Sequence, residues 1–373
     1  MRVGVIGAGI GGLTVAAGLV ADGHDVEVFE RRDEAAAVGA GLTLFGNAFG
    51  ALDSIGLGDR IRAISSDAIS HMRAGQRLPS GDWLLAMPPA MVPSIRSLHR
   101  AELHRALVEA LPRGTLRFGA EVTVTGSGAP TIHAAGGVES FDLVIASDGI
   151  RSESRARLGL DRGLRYAGYT AWRGVTSTAV DLNDEAGETW GRGHIFGIVP
   201  LPDDRIYWFA TESTAPGESR PDERQSVLER FSAWHQPIRA VIEATPSDSV
   251  LRHDIYDLKR LPASFVRGRT ALLGDAAHGM TPNLGQGAGQ AIEDAATLVL
   301  ALRGRADIDS ALRLYGDIRR KRTKAIWSQS RLMGKVAQAS NPIGAAFRDA
   351  LLRATPPSST RRGTASLQQW TAP

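Results

Sequence analysis

A glycine-rich turn near the start of the chain restricts the fold more than any other feature of the sequence. Residues 3–6 are a short apolar run typical of a buried parallel strand, and the turn GAGIGG at residues 7–12 follows it directly. Residues 13–21 have the small and apolar side chains of a helix packed on a sheet, and residues 25–30 alternate as a second strand. The sequence therefore predicts a βαβ unit that opens a parallel sheet.

The glycine spacing in this turn is the fingerprint of a dinucleotide site. Gly7 permits the tight turn, Gly9 lets the backbone approach a pyrophosphate, and Gly12 lets helix and strand pack closely. The pyrophosphate then lies at the positive end of the helix dipole. Glu30 ends the second strand, where its carboxylate can accept a hydrogen bond from a ribose 2′-hydroxyl and disfavours a 2′-phosphate. This motif alone does not distinguish FAD from NAD.

A second motif, DGIRSESR at residues 148–155, follows a predicted strand. Asp148, Gly149, Ser152 and Arg155 match the pattern D-G-x-x-S-x-x-R. A plain turn from strand to helix explains the same residues equally well, because Asp-Gly is a common turn pair and Ser152 can cap a helix.

The most informative segment is GDAAHGMTPNLGQG at residues 274–287, which follows another predicted strand. Asp275 at the strand end can accept hydrogen bonds from polyol hydroxyls, and Pro282 stiffens the loop. Gly285 and Gly287 allow backbone amides to lie close to a flat ring. The helix that begins near Gly287 directs its positive end at that ring and favours negative charge there.

The composition excludes several kinds of site. The chain has no cysteine, which excludes disulfides, thiolate metal ligands and a cysteine nucleophile. No His or carboxylate pairs have the spacing of metal ligands, so no metal site is predicted. Arginines are spread along the chain, which argues against nucleic-acid binding, and the densest basic run, residues 319–324, lies on a predicted surface helix. No apolar run approaches the ~20 residues that span a bilayer, so the sequence predicts a cytoplasmic protein with no membrane span.

The middle of the chain has a different pattern. Residues 166–177 and 194–211 are aromatic-rich alternating runs, which predict an antiparallel sheet. Helical structure is predicted for residues 221–244, 287–303 and 309–338. The predicted nucleotide-binding domain is thus interrupted by an antiparallel sheet and is completed by later residues of the chain. The predicted ranges are 1–75, 98–165 and 265–350 for a discontinuous nucleotide-binding domain, 76–97 and 166–264 for a substrate domain, and 351–373 for a loosely ordered tail.

The three motifs, in this order and spacing, closely resemble the single-component (group A) flavoprotein aromatic hydroxylases with the p-hydroxybenzoate hydroxylase fold. The resemblance extends over about residues 1–350. It implies an α/β fold: a Rossmann-like FAD-binding domain, an inserted antiparallel-sheet substrate domain and C-terminal helices.

The resemblance implies a non-covalent FAD, and the lack of cysteine excludes a cysteinyl-linked flavin. NADPH or NADH is implied as a transient reductant, and the sequence has no second dinucleotide fingerprint for it. Asp148 and Arg155 are implied to contact both FAD and NAD(P)H. The residues implied to contact FAD are Gly7, Gly9, Gly11, Gly12, Glu30, Arg31, Arg100, Asp148, Arg155, Asp275, Pro282, Gly285, Gln286 and Gly287.

The implied activity is the hydroxylation of a small aromatic or heteroaromatic substrate. NAD(P)H reduces FAD, O2 adds at flavin C4a, and the resulting hydroperoxyflavin transfers its distal oxygen. An epoxidase, or a monooxygenase of the same fold that modifies a polyketide or an antibiotic, is the alternative. A flavoprotein that binds a ligand without turnover is a further one.

The predicted sheet supplies the substrate-side candidates Tyr169, Arg173, His194 and Tyr207. RYAGYTAWRG at residues 165–174 is similar to a stretch of flavin-dependent urate hydroxylases and zeaxanthin epoxidase-like proteins, and Tyr207 falls where the urate hydroxylases carry an active-site tyrosine. His194 falls where those enzymes use an arginine, and Asn283 falls where they have an aspartate, which argues against urate. Aromatic residues in alternating strands more often serve packing. The long C-terminal helices are candidates for a homodimer interface.

Overall fold

The computed structural model describes residues 1–33, 40–92, 94–218, 220–305, 307–356, 358–359 and 366–373. Short parts of the predicted domain ranges and of the predicted tail therefore lie outside the described residues. The strands, in chain order, are β1 Arg2–Ile6, β2 Asp25–Phe29, β3 Gly41–Phe45, β4 Arg73–Arg77, β5 Trp83–Met87, β6 Ile95–His99, β7 Leu116–Arg117, β8 Thr123–Val124, β9 Thr131–Ala134, β10 Gly137–Ser140, β11 Leu143–Ala146, β12 Leu164–Val175, β13 Glu185–Trp190, β14 His194–Pro200, β15 Ile206–Glu212, β16 Leu251–Leu258, β17 Val266–Arg267 and β18 Thr270–Leu272. The helices are α1 Ile10–Ala21, α2 Gly46–Ser54, α3 Gly58–Ala63, α4 Arg100–Val108, α5 Glu153–Arg157, α6 Glu223–Phe231, α7 Ile238–Glu243, α8 Asp275–His278, α9 Gly287–Gly304, α10 Ile308–Ala337 and α11 Pro342–Ala354.

A six-stranded sheet forms the centre of the first domain, in the order β17-β18-β11-β1-β2-β7. β1 pairs in parallel with β2 and β11, and α1 connects β1 to β2, which confirms the predicted βαβ unit. All four residues of β11 are buried, as expected for a central parallel strand. The apolar core of this domain joins the sheet to α1, α2 and α9.

The second sheet has seven strands in the order β16-β12-β15-β14-β13-β4-β5 and is antiparallel except for the β13–β4 pair. β4 begins at Arg73, so this sheet starts before the predicted start of the substrate domain at residue 76. Two small sheets, β10-β9-β8 and β3-β6, complete the described strands. A Rossmann-like domain, an antiparallel substrate sheet and the C-terminal helices α9–α11 confirm the predicted fold class.

The two faces of the seven-stranded sheet have different neighbours. One face packs under α6 and α7, where Trp172, Phe196 and Trp208 share an apolar cluster with Phe231. The opposite face is turned towards the first domain, and a Cβ atom on Gly41 of β3 would overlap Tyr207. We call these the helix-covered face and the cleft face. The cleft face carries Ala171, Arg173, Val175, Tyr207 and Phe209, which cross-strand pairing places on one side.

Two segments differ from the sequence prediction. Residues 221–244 form two helices, α6 and α7, and Pro237 lies at the N-cap of α7, where a missing N–H costs no helical hydrogen bond. The predicted boundary at residue 351 lies inside α11. Arg322 of α10 donates to the carbonyl oxygens of Leu367 and Gln369, so the described end of the chain lies against this helix.

The helices in the described ranges include none that is both long and apolar enough to cross a membrane.

Candidate active site

The turn between β1 and α1 has two glycines that the backbone requires and one that faces open space. Gly7 has φ +97°, a left-handed conformation, and a Cβ atom there would lie 2.6 Å from the carbonyl oxygen of Ser147. A Cβ atom on Gly12 would overlap the carbonyl oxygen of Gly7. A Cβ atom on Gly9 would meet no atom within 4 Å. The turn therefore leaves room beside Gly9 at the N-terminus of α1, where free N–H groups attract anions.

Glu30 lies beside this turn, directly after β2. Its carboxylate accepts hydrogen bonds from the backbone N–H of Ala8 at 2.9 Å and of Arg32 at 3.1 Å. These bonds hold the carboxylate at the edge of the open space next to Gly9. Gly11 faces the other way, since its Cβ atom would lie 3.2 Å from that of Ala291 in α9. Arg31 is exposed.

Arg100 lies near charged groups of both domains. It is the first residue of α4, and its side chain keeps contact with solvent although protein surrounds the guanidinium on most sides. Burial lowers the pKa of Arg100; nearby Asp275 opposes this shift, and the charges of Arg173 and Arg32 add to it. Groups from both domains thus converge on Arg100, although they lie far apart in the sequence.

The residues at 148–155 form a self-contained turn. Asp148 accepts hydrogen bonds from the Ser152 hydroxyl at 2.5 Å and from the Ser154 N–H at 2.9 Å. Ser152 caps α5, as one of the two sequence interpretations proposed. Arg155 is buried, and its three guanidinium nitrogens donate to Asp161, to the carbonyl of Ile150 and to the carbonyl of Ala276 in α8. Arg155 of the second motif therefore binds the backbone of the third motif.

The third motif contains a short helix that the sequence did not predict. Asp275 begins α8, and Pro282 begins a 3₁₀ turn at Pro282–Leu284. Gly285 has φ +63°, which favours glycine. Gln286 is buried, and its side-chain oxygen accepts hydrogen bonds from Asn47 and Gln290.

Gly287 is the first residue of α9, and a Cβ atom there would meet no atom within 4 Å. The N-termini of α1 and α9 thus both begin beside open space. Each of these helix ends offers free N–H groups and positive dipole charge to a negatively charged part of a ligand.

A buried ionic network behind this motif was missed by the sequence analysis. Arg319 of α10 donates to Asp294 at 2.6 Å and to Glu293 at 2.5 Å, and all three side chains are fully buried. Asp294 also accepts from the N–H of Gly274 at 2.8 Å and is 2.6 Å from Nε2 of His278. The expectation that residues 319–324 lie on a surface helix is wrong for Arg319, because α10 packs this side chain onto α9. Two adjacent carboxylates within the otherwise apolar start of α9 were the available signal.

Cross-strand pairing places the substrate-side candidates Arg173, His194 and Tyr207 on two different faces of the sheet. Tyr207 pairs with Val199 and Val175, and Arg173 pairs with Phe209, so both candidates lie on the cleft face. Tyr207 is 7% exposed and packs against the first domain.

His194 pairs with Glu212 and lies on the helix-covered face. Its ring contacts that of Phe231 at 6.0 Å between centroids, and its Nδ1 is 2.8 Å from the carbonyl oxygen of Arg192. The structure therefore does not bring His194 together with Tyr207 and Arg173.

Tyr169, the fourth substrate-side candidate, and His253 are polar groups near Arg173. The hydroxyl of Tyr169 donates to Asn283 of the third motif at 2.7 Å, and burial raises its pKa well above the usual range. Burial lowers the pKa of His253, and the charges of Arg173 and Arg100 add to this effect. His253 was not singled out from the sequence, because its place in the cleft depends on the pairing of β16 with β12.

Comparisons with known proteins agree with this architecture. The family model described as the FAD binding domain matches residues 1–330. The aurachin C monooxygenase/isomerase of Stigmatella aurantiaca is 37% identical over 95% of this chain and 94% of that protein. The 2-heptyl-3-hydroxy-4(1H)-quinolone synthase of Pseudomonas aeruginosa is 34% identical over 97% and 96%.

A solved structure of Klebsiella pneumoniae HpxO complexed with FAD and uric acid superposes with a TM-score of 0.88 at 28% identity, over 98% of this chain and 96% of that one. The fold is thus shared with an FAD-bound protein along almost the whole chain. This chain belongs to the FAD-binding family of FAD-dependent aromatic monooxygenases.

Proposed function

We propose that this chain uses NAD(P)H and O2 to hydroxylate a small heteroaromatic compound in the cleft between its two domains. The observation that carries this proposal is the convergence on that cleft. Asp275 of the third motif and Arg173 of the cleft face both act on the guanidinium of Arg100, and a Cβ atom on Gly9 or Gly287 would meet no protein atom within 4 Å. One side offers anion-binding helix ends, and the other offers aromatic and cationic groups.

FAD fits the first side of the cleft. Gly9 and the N-terminus of α1 would hold the pyrophosphate, and Glu30 would accept a ribose hydroxyl. Asp275 would accept hydroxyls of the ribityl chain. The backbone at 285–287, with Pro282 before it, would lie beside the flavin ring, close to the positive end of α9. The roles of Gly11, Arg31, Asp148, Arg155 and Gln286 as FAD contacts belong to the same proposal.

FAD, when bound, would supply the redox chemistry that couples NAD(P)H oxidation to O2. The chain's own residues must hold the substrate ring close to the flavin and exclude water. Arg173 is placed to stabilise a negative charge on a ring hydroxyl or oxo group, which makes the ring carbons more nucleophilic. Tyr207 closes the cleft by packing on Gly41.

The test is ligand-stimulated oxidation of NADH and NADPH by the FAD-loaded protein. The panel contains 2-heptyl-4(1H)-quinolone, urate, hydroxybenzoates and hydroxylated pyridines. We expect at least one heteroaromatic compound to stimulate oxidation over the rate without ligand. A protein that holds FAD but responds to no member of the panel contradicts the proposed substrate class.

Arg173 gives a prediction for the substrate side. We expect Arg173→Met to lower kcat/KM by about tenfold or more, because a hydrogen bond to a charged partner contributes about 1.5–3 kcal/mol. FAD content should stay unchanged. His194→Asn is the matched control, since His194 lies on the helix-covered face. Equal losses for both variants would contradict the assignment of the cleft face to the substrate.

We propose a homodimer that forms through the C-terminal helices, and a cytoplasmic location. α11 exposes an apolar stripe at spacings of four residues, with Ile343 82%, Phe347 72% and Leu351 56% exposed. Leu332 and Val336 of α10 are also exposed.

If this stripe is buried against a second copy, sedimentation velocity should show a dimer. The double variant Ile343→Asp/Phe347→Asp should be a monomer with normal FAD content. A wild-type monomer at micromolar concentration would contradict the proposed interface.

A further inference from the structure

One row of paired residues crosses the cleft face of the seven-stranded sheet. Glu188 of β13 pairs with Gly197 of β14, Gly197 pairs with Phe209 of β15, and Phe209 pairs with Arg173 of β12. Paired residues project from the same face of a sheet, so these side chains share the cleft face. Arg173 and Glu188 are three strands apart, which is about 14 Å at the usual strand spacing.

An apolar floor lies between these two charged groups. A Cβ atom on Gly197 would overlap ring atoms of Phe209, so the Phe209 ring lies over the position where Gly197 has no side chain. The row therefore presents a guanidinium, a flat aromatic surface and a carboxyl group in that order. A planar ring system can stack on the middle of the row and reach a polar group at each end.

The carboxyl group of Glu188 is held in place on one side only. Its Oε2 accepts a hydrogen bond from the Trp190 indole at 2.7 Å, and Trp190 is 3% exposed beneath the guanidinium of Arg348. Its Oε1 accepts no hydrogen bond from any residue that the structure describes, and Glu188 is only half-buried. One oxygen is thus fixed by the protein and the other is available to a ligand.

No cation competes for this oxygen among the described residues. β4 places Gln76 beside Glu188, and β14 places Gly197 there. Arg348 is occupied by Asp349 and by the carbonyl oxygens of Gly191 and Ala337. Burial raises the pKa of Glu188, and the bond from Trp190 opposes this shift only partly. A carboxylate in such surroundings is a stronger hydrogen-bond acceptor and base than one in water.

We propose that Glu188 accepts a hydrogen bond from a ring N–H of the heteroaromatic substrate, whose oxo or hydroxyl group lies at the Arg173 end of the row. This assignment rests on the proposed function. The 4(1H)-quinolone and the uric acid that are named for two relatives both carry ring N–H groups. Drawing electron density from the N–H into the ring also activates its carbons towards an electrophilic oxygen.

The test compares 2-heptyl-4(1H)-quinolone with its N-methyl derivative on FAD-loaded protein, by equilibrium binding and by stimulated NAD(P)H oxidation. The wild type should bind the N–H compound about tenfold or more tightly than the N-methyl compound, the range of a charge-assisted hydrogen bond. In Glu188→Gln the amide oxygen can still accept from Trp190, which leaves an NH2 group facing the substrate N–H. We expect this variant to lose the discrimination and to keep its thermal stability and FAD content.

Two further measurements separate substrate binding from a structural role. Glu229→Gln, on the exposed surface of α6, is the matched control and should behave as the wild type. Affinity for the N–H compound should fall as pH decreases through the raised pKa of Glu188, and this dependence should be absent from Glu188→Gln and for the N-methyl compound. Unchanged discrimination in Glu188→Gln overturns the assignment while the proposed function stands. A wild type that binds neither quinolone also overturns the assignment. Stimulation of NAD(P)H oxidation by the other ring compounds of the panel then tests the proposed function independently.

Discussion

Replacing Gly9 with valine is expected to remove FAD from the protein while the fold stays intact. Gly9 has φ −76° and ψ 179°, which any residue adopts, and a Cβ atom there would meet no protein atom within 4 Å. The side chain would instead fill the space assigned to the pyrophosphate. Loss of two charge-assisted hydrogen bonds from the backbone would weaken FAD binding about 100-fold or more. Flavin absorbance after desalting and titration of the apoprotein with FAD measure this change.

Two other glycines with open surroundings provide a second test position and a control for this prediction. Gly287→Val, at the N-terminus of α9, should also disturb FAD, because that backbone is assigned to the flavin ring. Gly304→Val, at the other end of the same helix, is the control, since a Cβ atom there also meets nothing within 4 Å. If Gly9→Val retains FAD with the affinity of the wild type, the pyrophosphate does not lie at this turn.

Replacing Arg319 with methionine is expected to cost about 3–5 kcal/mol of unfolding free energy, because it removes the one cation that joins both buried carboxylates and leaves Glu293 with Arg322 and Asp294 with His278. Arg319, Glu293 and Asp294 are all fully buried. The control is Arg303→Met, whose pair with Asp22 is partly exposed and should change stability by about 1 kcal/mol or less. Urea denaturation of the FAD-loaded proteins at neutral pH measures both. Equal effects in the two variants would contradict a special role of the buried network.

The same network predicts a pH dependence. Burial would raise the pKa of Asp294, but His278 and Arg319 beside it lower that pKa overall. A carboxyl group whose pKa is lower in the folded state stabilises the fold above its unfolded pKa of about 3.9, and this contribution is lost as pH falls through the folded pKa. The stability difference between wild type and Arg319→Met should therefore be largest near neutral pH and shrink below about pH 4.

The parts of the site that depend on local backbone could be predicted from the sequence. Gly7, Gly9 and Gly12 have their distinct surroundings because a turn from strand to helix restricts φ and packing within a few residues. The position of Asp275 directly after β18 follows in the same way. The resemblance to a known family then allowed the complete fold to be predicted from these local motifs.

The parts that depend on strand register could not be predicted. Alternation shows that neighbours within β14 face opposite sides, but only the pairing of Val199 with Tyr207 places His194 on the face away from the cleft. Glu188 was missed for a related reason, because β13 has no clear alternating pattern and glutamate is usually exposed.

The measurement that tests the account most directly is the origin of the oxygen atom in the product. The FAD-loaded protein is supplied with NAD(P)H, ¹⁸O2 and the heteroaromatic compound that best stimulates NAD(P)H oxidation. The mass of the product is then determined by mass spectrometry. The account predicts a product heavier than its substrate by one ¹⁸O atom, in proportion to the NAD(P)H consumed. A product without the label, or H2O2 that accounts for all the NAD(P)H consumed, would contradict it.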